Sequence, residues 1–100
     1  MIERRFVWDE AKSRKNRQKH GITFQLAARV FLDPLHHSVQ DRIVDGERRW
    51  QTVGEVEGTS LLLVAHTIVE EGPDHTLVEV IRIVSARRAE RKERKSYESG

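Results

Sequence analysis

Cysteine is absent from this sequence of 100 residues, which excludes disulfides, thiol nucleophiles and cysteine-bound zinc. The two prolines and six glycines are scattered and form no linker, so a single domain over residues 1–100 is predicted. The longest unbroken apolar run, residues 61–65, is too short to cross a bilayer, and the first residues lack the apolar centre of a signal peptide. We therefore expect a cytoplasmic protein with one core and no membrane segment.

Charge is plentiful but unevenly distributed. Eighteen Lys and Arg residues against sixteen Asp and Glu residues give a net charge of +2. Residues 1–20 and residues 85–100 are both strongly basic, whereas residues 21–84 are acidic. If the two basic ends meet in the fold, they form a positive patch that suits nucleic acid or an acidic partner protein. Dispersed, solvated charge is the alternative.

Apolar periodicity and turn residues predict the element order β-α-α-β-β-β-β-α. RRFVW, residues 4–8, is typical of a short edge strand. The runs at residues 60–69 and 76–84 are apolar on both faces, which indicates central strands, and EEGPDH, residues 70–75, is typical of the turn between them. A basic helix over residues 86–97 closes the chain. The expected class is α+β, with a mostly antiparallel sheet of four or five strands.

Two N-terminal helices are expected to pack on one face of this sheet. Asp9 has the side chain that caps a helix start, and Gly21 has the freedom that a left-handed helix end requires, so the first helix ends near His20. Thr23 caps the second helix, which Pro34 ends. The first helix has almost no apolar stripe.

We expect the anchors of this first helix to be Ala11, the flanking Trp8 and Ile22, and the aliphatic stems of its long cationic side chains.

Two polar residues interrupt the predicted central strands. Arg82 lies within VEVIRIV, where a buried charge is costly unless it is paired or solvated. It therefore forms an ion pair, reaches solvent at the edge of the sheet, or binds an anion. His66 lies within LVAHTIV and is either a hydrogen-bonded core residue or a proton-transfer group beside Arg82. The sequence leaves these alternatives open.

Two further groups of residues bear on chemistry. Lys12, Lys19 and His20 share a stripe of the first helix, although His20 also suits the helix C-terminus for electrostatic reasons alone. His36 and His37 are adjacent, and adjacent strand residues point to opposite faces, so we expect no metal site and no cofactor.

Arginine, histidine, lysine and tyrosine side chains suffice to cleave RNA without metal. The ribose 2′-OH attacks the neighbouring phosphate, a base takes its proton, and an acid protonates the leaving 5′ oxygen. Guanidinium groups match the geometry of the phosphate oxygens in a planar fork. The alternative is a non-catalytic module whose basic surface binds nucleic acid or protein.

The chain resembles the BrnT family of toxins from bacterial type II toxin–antitoxin systems. The resemblance is carried by FVWDEAKSRKNRQKHGITF, AARVFLDP, ERRWQTVG, LLLVAHT and IRIVSARRAERKERKSYE, which together cover nearly the whole chain. It departs from the family at Arg17, where the family usually has an apolar residue.

The resemblance implies a RelE-like fold and an endoribonuclease that slows translation. It further implies a BrnA-type antitoxin with a ribbon-helix-helix DNA-binding part, whose complex with the toxin represses their own promoter DNA. It does not identify the catalytic base.

From these considerations we predict an active site where the last strand meets the last helix. Arg82 on the strand and Arg87 or Arg88 at the start of the helix would hold the scissile phosphate, helped by free backbone N–H groups at that corner. The predicted catalytic residues are His66, Arg82, Arg87 and His20, with His66 the first choice of base or acid. The predicted RNA-binding residues are Lys12, Lys19, Arg49, Arg88, Arg91 and Tyr97.

Overall fold

The computed structural model describes residues 3–58, 60–72 and 78–100. Five strands form one sheet in the order β1-β5-β4-β3-β2. The strands are β1 (Glu3–Val7), β2 (His37–Val44), β3 (Glu47–Val56), β4 (Ser60–Glu71) and β5 (Val78–Arg88). The helices are α1 (Glu10–His20), α2 (Phe24–Ala28), continued by a 3₁₀ segment (Arg29–Leu32), and α3 (Arg91–Glu98). The predicted α+β class and element order are confirmed.

The sheet is mostly antiparallel, as predicted, with one exception at its edge. β1 pairs in parallel with β5, in a register that runs from Glu3 opposite Val78 to Val7 opposite Arg82. A parallel pair needs a long crossover, and here most of the chain lies between the two strands. The part of the predicted turn that falls on residues 73–75 lies outside the described residues.

The helix boundaries at the N-terminus follow the predicted capping residues. Asp9 accepts hydrogen bonds from the N–H groups of the first turn of α1, and Thr23 does the same for α2. Gly21 has a φ of 75°, in the left-handed region, and its N–H donates to the carbonyl of Arg17. These contacts fix the angle between the two helices.

The predicted anchors of α1 are confirmed in part. Ile22 is buried and Trp8 packs against the core, as predicted, but Ala11 is exposed, and the buried residues of α1 itself, Ser13 and Asn16, are polar. The Asn16 amide nitrogen donates to the carbonyls of Ile22 (2.7 Å) and Ala86 (2.8 Å), and its oxygen accepts from the N–H of Ala86 (3.1 Å). Hydrogen bonds to backbone therefore replace an apolar stripe, and Arg17 at its exposed position does not disturb them.

One face of the sheet, called here the helix face, packs against α2 and the 3₁₀ segment. Gly54 of β3 lies so close to this segment that a Cβ atom would approach Val30 Cγ1 to 2.7 Å, which explains the need for glycine. The core cluster on this face includes Ile22, Phe24, Ala27, Val30, Phe31, Leu62, Val64, Ile81, Ile83 and Ala86.

The end of the chain departs from the prediction. β5 continues to Arg88 and α3 begins only at Arg91, so the predicted helix start at residue 86 is wrong. The reason is that Arg87 and Arg88 pair with Leu63 and Leu62 of β4, and this pairing prolongs the ladder beyond the apolar run. Among the described residues, no helix has the length and apolar composition needed to span a membrane.

Candidate active site

The face of the sheet opposite the helix face, called here the open face, is covered only at one end. There α3 packs over a small apolar cluster of Val53, Leu63 and Ala89, flanked by Leu61 and Tyr97. The remainder carries polar side chains such as Gln51 and Arg82 together with exposed valines such as Val7 and Val69, and it contains the candidate site.

A register shift in β5 decides which side chains reach the open face. Ala65 lies opposite Ser85 and His66 opposite Ile83, so Val84 has no residue opposite it. An extra residue in one strand reverses the alternation beyond it. Arg82 and Arg87 therefore point to the same face although five positions separate them, which simple alternation does not predict.

A cavity of about 350 Å³ lies on the open face, between β5 and the end of α1. It joins the basic N-terminal region to the basic C-terminal region, since Lys19 and His20 enter it from α1 and Arg87 from β5. The hydrogen bonds of Asn16 to Ala86 hold the two elements together at this point. The lining residues are Lys19, His20, Gln51, Leu63, Ala65, Ser85, Ala86 and Arg87.

Arg87 is held in this cavity by a carboxylate. Its Nη1 and Nη2 donate to the two oxygens of Glu93 at 3.0 and 3.3 Å. The hydrogen bond to Glu93 raises the pKa of Arg87 and lowers that of Glu93. Arg88, by contrast, donates to the hydroxyl of Ser60 and belongs to a separate surface.

The predicted strand-to-helix corner is already occupied by side chains. The carboxylates of Glu90 and Glu93 form a capping box at the start of α3, and the N–H of Ala89 donates to the carbonyl of Leu61. These partners take the N–H groups of Ala89, Glu90 and Glu93, so fewer backbone donors face solvent than the sequence suggested. The phosphate site at this corner stays a prediction.

His66 lies in the core and not in the cavity. It is completely buried, its Nε2 lies 2.6 Å from Thr52 Oγ1, and its ring contacts Phe31 edge-on at 5.1 Å between centroids. Burial lowers its pKa to about 4. This geometry favours the structural alternative for His66 and offers no route to an RNA phosphate.

Arg82 lies on the open face but outside the cavity. Its Nη2 donates to Glu47 Oε1 at 2.6 Å, so the ion-pair alternative fits the structure. Arg87 lies five positions further along β5, a distance of about 16 Å. The structure does not bring the two guanidinium groups together around one phosphate.

Tyr97 fastens α3 instead of facing the cavity. Its hydroxyl donates to Asp33 Oδ2 at 2.6 Å, and this bond, together with burial, raises the Tyr97 pKa to about 12. Burial raises the pKa of Asp33, but the N–H groups of Glu55 and Leu35 and the Tyr97 hydroxyl outweigh it, and the net pKa is lowered.

The other predicted RNA-binding residues surround the cavity at different distances. Lys12 is exposed on α1 about 12 Å from His20 along the helix axis. Arg49 shares the open face with Gln51 by strand alternation, and among the described residues its buried Nε has no hydrogen-bond partner. Arg91 is exposed at the start of α3.

A family model described as "Ribonuclease toxin, BrnT, of type II toxin-antitoxin system" matches residues 8–93. The chain belongs to the BrnT family. It is thus a ribonuclease toxin of a type II toxin–antitoxin system, with RNA as its substrate and a cognate antitoxin as its partner, as the sequence predicted.

A solved structure supports the fold of this BrnT-family toxin. The ribonuclease toxin BrnT of Brucella abortus aligns with a TM-score of 0.57 and 24% sequence identity. The alignment covers 89% of this chain and 99% of the Brucella chain. No curated protein matches the chain. The RelE-like α+β architecture expected from the resemblance is therefore confirmed.

Two polar residues of the cavity were not among the predicted site residues of this toxin. Ser85 reaches the cavity because of the register shift, for which the sequence gives no signal. Gln51 was detectable, because alternation in RRWQTVGEV places it on the same face as Arg49.

The adjacent histidines have separate contacts. His36 Nδ1 lies 2.6 Å from the carbonyl of Asp33, and His37 Nε2 lies 3.2 Å from Ser96 Oγ. No group of three or more metal-binding side chains occurs among residues 3–58, 60–72 and 78–100.

Proposed function

We propose that the cavity between α1 and β5 is the active site and that it cleaves RNA by metal-independent transesterification. The observation that carries the proposal is the meeting of His20 and Lys19 with Arg87 and Ser85 around one polar cavity. An imidazole and two cations are the groups that this reaction needs, and the Ser85 hydroxyl lies beside them.

The reaction assigns a role to each group. The His20 imidazole takes the proton of the ribose 2′-OH as that oxygen bonds to phosphorus. Arg87 and Lys19 bind the phosphate oxygens, whose negative charge grows in the transition state. The bond from phosphorus to the 5′ oxygen breaks, and solvent in the open cavity protonates the leaving oxygen. The products are a 2′,3′-cyclic phosphate and a 5′-hydroxyl.

Analysis of the RNA ends tests this mechanism. The purified toxin is mixed with a short RNA, with and without EDTA, and with the same RNA carrying 2′-deoxyribose at the cleaved position. We expect cyclic-phosphate ends, full activity in EDTA and no cleavage of the deoxy substrate. Fragments that end in a 3′-hydroxyl, or activity lost in EDTA, would reject the mechanism.

Replacement of Arg87 tests the place of the site. Arg87→Ala should reduce cleavage by about 10²–10³, the usual cost of losing a group that stabilises transition-state charge. Arg82→Ala serves as the matched control because Arg82 is a strand arginine on the same face that is paired with Glu47. If Arg82→Ala is the more damaging change, the site lies elsewhere on the open face.

RNA binding should depend on phosphate contacts. The cleavable position is again blocked by 2′-deoxyribose so that binding is measured alone. Affinity should fall steeply between low and high salt, because each phosphate contact releases counterions. Affinity that hardly changes with salt contradicts a phosphate-dominated interface.

We further propose that the antitoxin of this cytoplasmic toxin is of the BrnA type, with a ribbon-helix-helix part through which the complex binds operator DNA. Support comes from membership of the BrnT family.

The antitoxin covers the open cavity, because covering the cations there blocks RNA. A preformed complex should therefore cleave RNA far more slowly than the free toxin, and cleavage at the uninhibited rate refutes occlusion.

A further inference from the structure

We infer that Glu93 is a positioning residue, which holds the Arg87 guanidinium in its reactive orientation and so links the docking of α3 to catalysis. The inference rests on the proposed function, in which Arg87 contacts the scissile phosphate. Glu93 itself touches neither substrate nor reacting atoms.

The contact between the two side chains is directional. Each carboxylate oxygen of Glu93 accepts from a different guanidinium nitrogen, at 3.0 and 3.3 Å, and Arg87 Nη1 also donates to the carbonyl of Arg88 at 3.1 Å. Such a fork fixes the guanidinium plane as well as its position. One edge of the guanidinium group thereby contacts Glu93 and the Arg88 carbonyl, and its other N–H groups are the ones that would contact a phosphate.

Stability alone is a poor explanation for this pair. The exposed fractions of the two side chains are 34% for Arg87 and 21% for Glu93. Ion pairs that solvent reaches to this extent contribute little to folding. The side chain of arginine is flexible, and a catalytic arginine loses conformational entropy when it binds a phosphate. Holding the guanidinium in its reactive orientation beforehand lowers that cost and so raises the reaction rate.

Glu93 also connects Arg87 to the start of α3. Its Oε1 accepts from the N–H of Glu90 at 2.7 Å, which completes the capping box of this helix. The other end of α3 is fastened by the bond from Tyr97 to Asp33. The orientation of Arg87 therefore depends on where α3 is docked.

Glu93→Gln separates the two roles of this residue. Glutamine also completes a capping box, so α3 keeps its cap. It has a single acceptor oxygen and no charge, so the fork to Arg87 is lost. We expect kcat to fall roughly 10- to 100-fold, as for other misplaced catalytic groups, with KM within about twofold of the control. The melting temperature should fall only slightly, because the bidentate pair with Arg87 is lost at a partly exposed position.

Glu98→Gln is the matched control. It removes the same charge by the same substitution from the same helix, at an exposed position. A gain in RNA affinity that merely reflects reduced negative charge would appear in both variants. A fall in kcat confined to Glu93→Gln is what positioning predicts.

A double-mutant cycle gives the decisive result. Cleavage by Arg87→Ala is measured under single-turnover conditions with and without Glu93→Gln. If Glu93 acts through Arg87, the second change has no further effect in this background. An equal loss in both backgrounds, or full activity of Glu93→Gln in the otherwise unchanged chain, overturns the inference. Full activity of Arg87→Ala would instead refute the proposed function.

Discussion

A histidine lies at each face of the sheet, His66 within β4 on the helix face and His20 at the end of α1 beside the open face. The two differ chiefly in burial, which bears on whether each can take part in chemistry. His66, on the helix face, is completely buried and bonded to Thr52, and its pKa is lowered to about 4. His20, on the open face, is half-buried at the rim of the cavity beside Arg87. The interior histidine has a fixed partner, whereas the one at the rim faces the space that a substrate would enter.

The largest effect is expected from the open face. His20→Ala should reduce RNA cleavage by about 10²–10⁴, the usual contribution of a group that transfers a proton. The melting temperature should stay the same, because the change removes a half-exposed ring from the end of α1. Lys15→Ala, at an exposed position of the same helix that does not line the cavity, is the control. Full activity of His20→Ala would remove it from the proposed mechanism.

The reciprocal change on the helix face should act on stability. His66→Ala leaves a cavity beside Phe31 and deprives the Thr52 hydroxyl of one of its two partners, the other being the Ser38 hydroxyl. Together these losses should cost roughly 3 kcal/mol of the free energy of unfolding. Thermal melting measures this, and the cleavage rate per folded molecule should be close to that of the parent. A variant that melts normally but does not cleave RNA would return His66 to the active site.

Most of the fold was predictable because local signals agree with the final structure. Asp9, Gly21 and Thr23 mark the helix boundaries, and the apolar runs mark the central strands. The last helix was placed too early because its basic composition begins at Arg87, where strand pairing still continues. At these residues the pairing of β5 with β4 determines the structure, in place of the helical preference that the local composition indicates.

The site was harder to predict, for two physical reasons. The register shift at Val84 is a property of the pairing of β4 with β5, and it determines the side of the sheet on which Ser85 and Arg87 lie. The choice between His66 and His20 depended on burial, which a histidine in an apolar strand does not reveal. Residue types pointed to ribonuclease chemistry, which membership of the BrnT family confirms, whereas the location of the site stays a proposal.

Lowering the pH should reduce the stability of the protein through the buried His66, without any mutation at the site. The pKa of His66 is about 4 in the folded protein, against 6.5 for an unperturbed histidine, so as the pH falls the unfolded chain binds this proton first. Stability from the neutral ring is complete above pH 6.5 and is lost as the pH falls toward 4, by up to about 3 kcal/mol.

Melting curves between pH 7.5 and 4.5 measure this loss. His66→Gln should flatten the dependence in this range relative to the parent protein. Asp33 and Glu93, whose pKa values are lowered, lose their contributions only at more acidic pH and are separable on that ground. An equally steep loss in His66→Gln would mean that another group is responsible.

The smallest effect is expected where α3 covers the end of the open face. Tyr97→Phe keeps the ring but removes the hydroxyl that donates to Asp33, at a cost of about 1–2 kcal/mol, since Asp33 retains the N–H donors of Glu55 and Leu35. Ser96→Ala is the control, because Ser96 lies on the same helix and has a longer contact, to His37 of β2.

If docking of α3 orients Arg87 through Glu93, Tyr97→Phe should also lower kcat by a few fold, measured well below its melting temperature. This loss should vanish in an Arg87→Ala background. A fall in stability with kcat unchanged would make Tyr97 a structural residue alone and would limit the link between α3 and catalysis to Glu93.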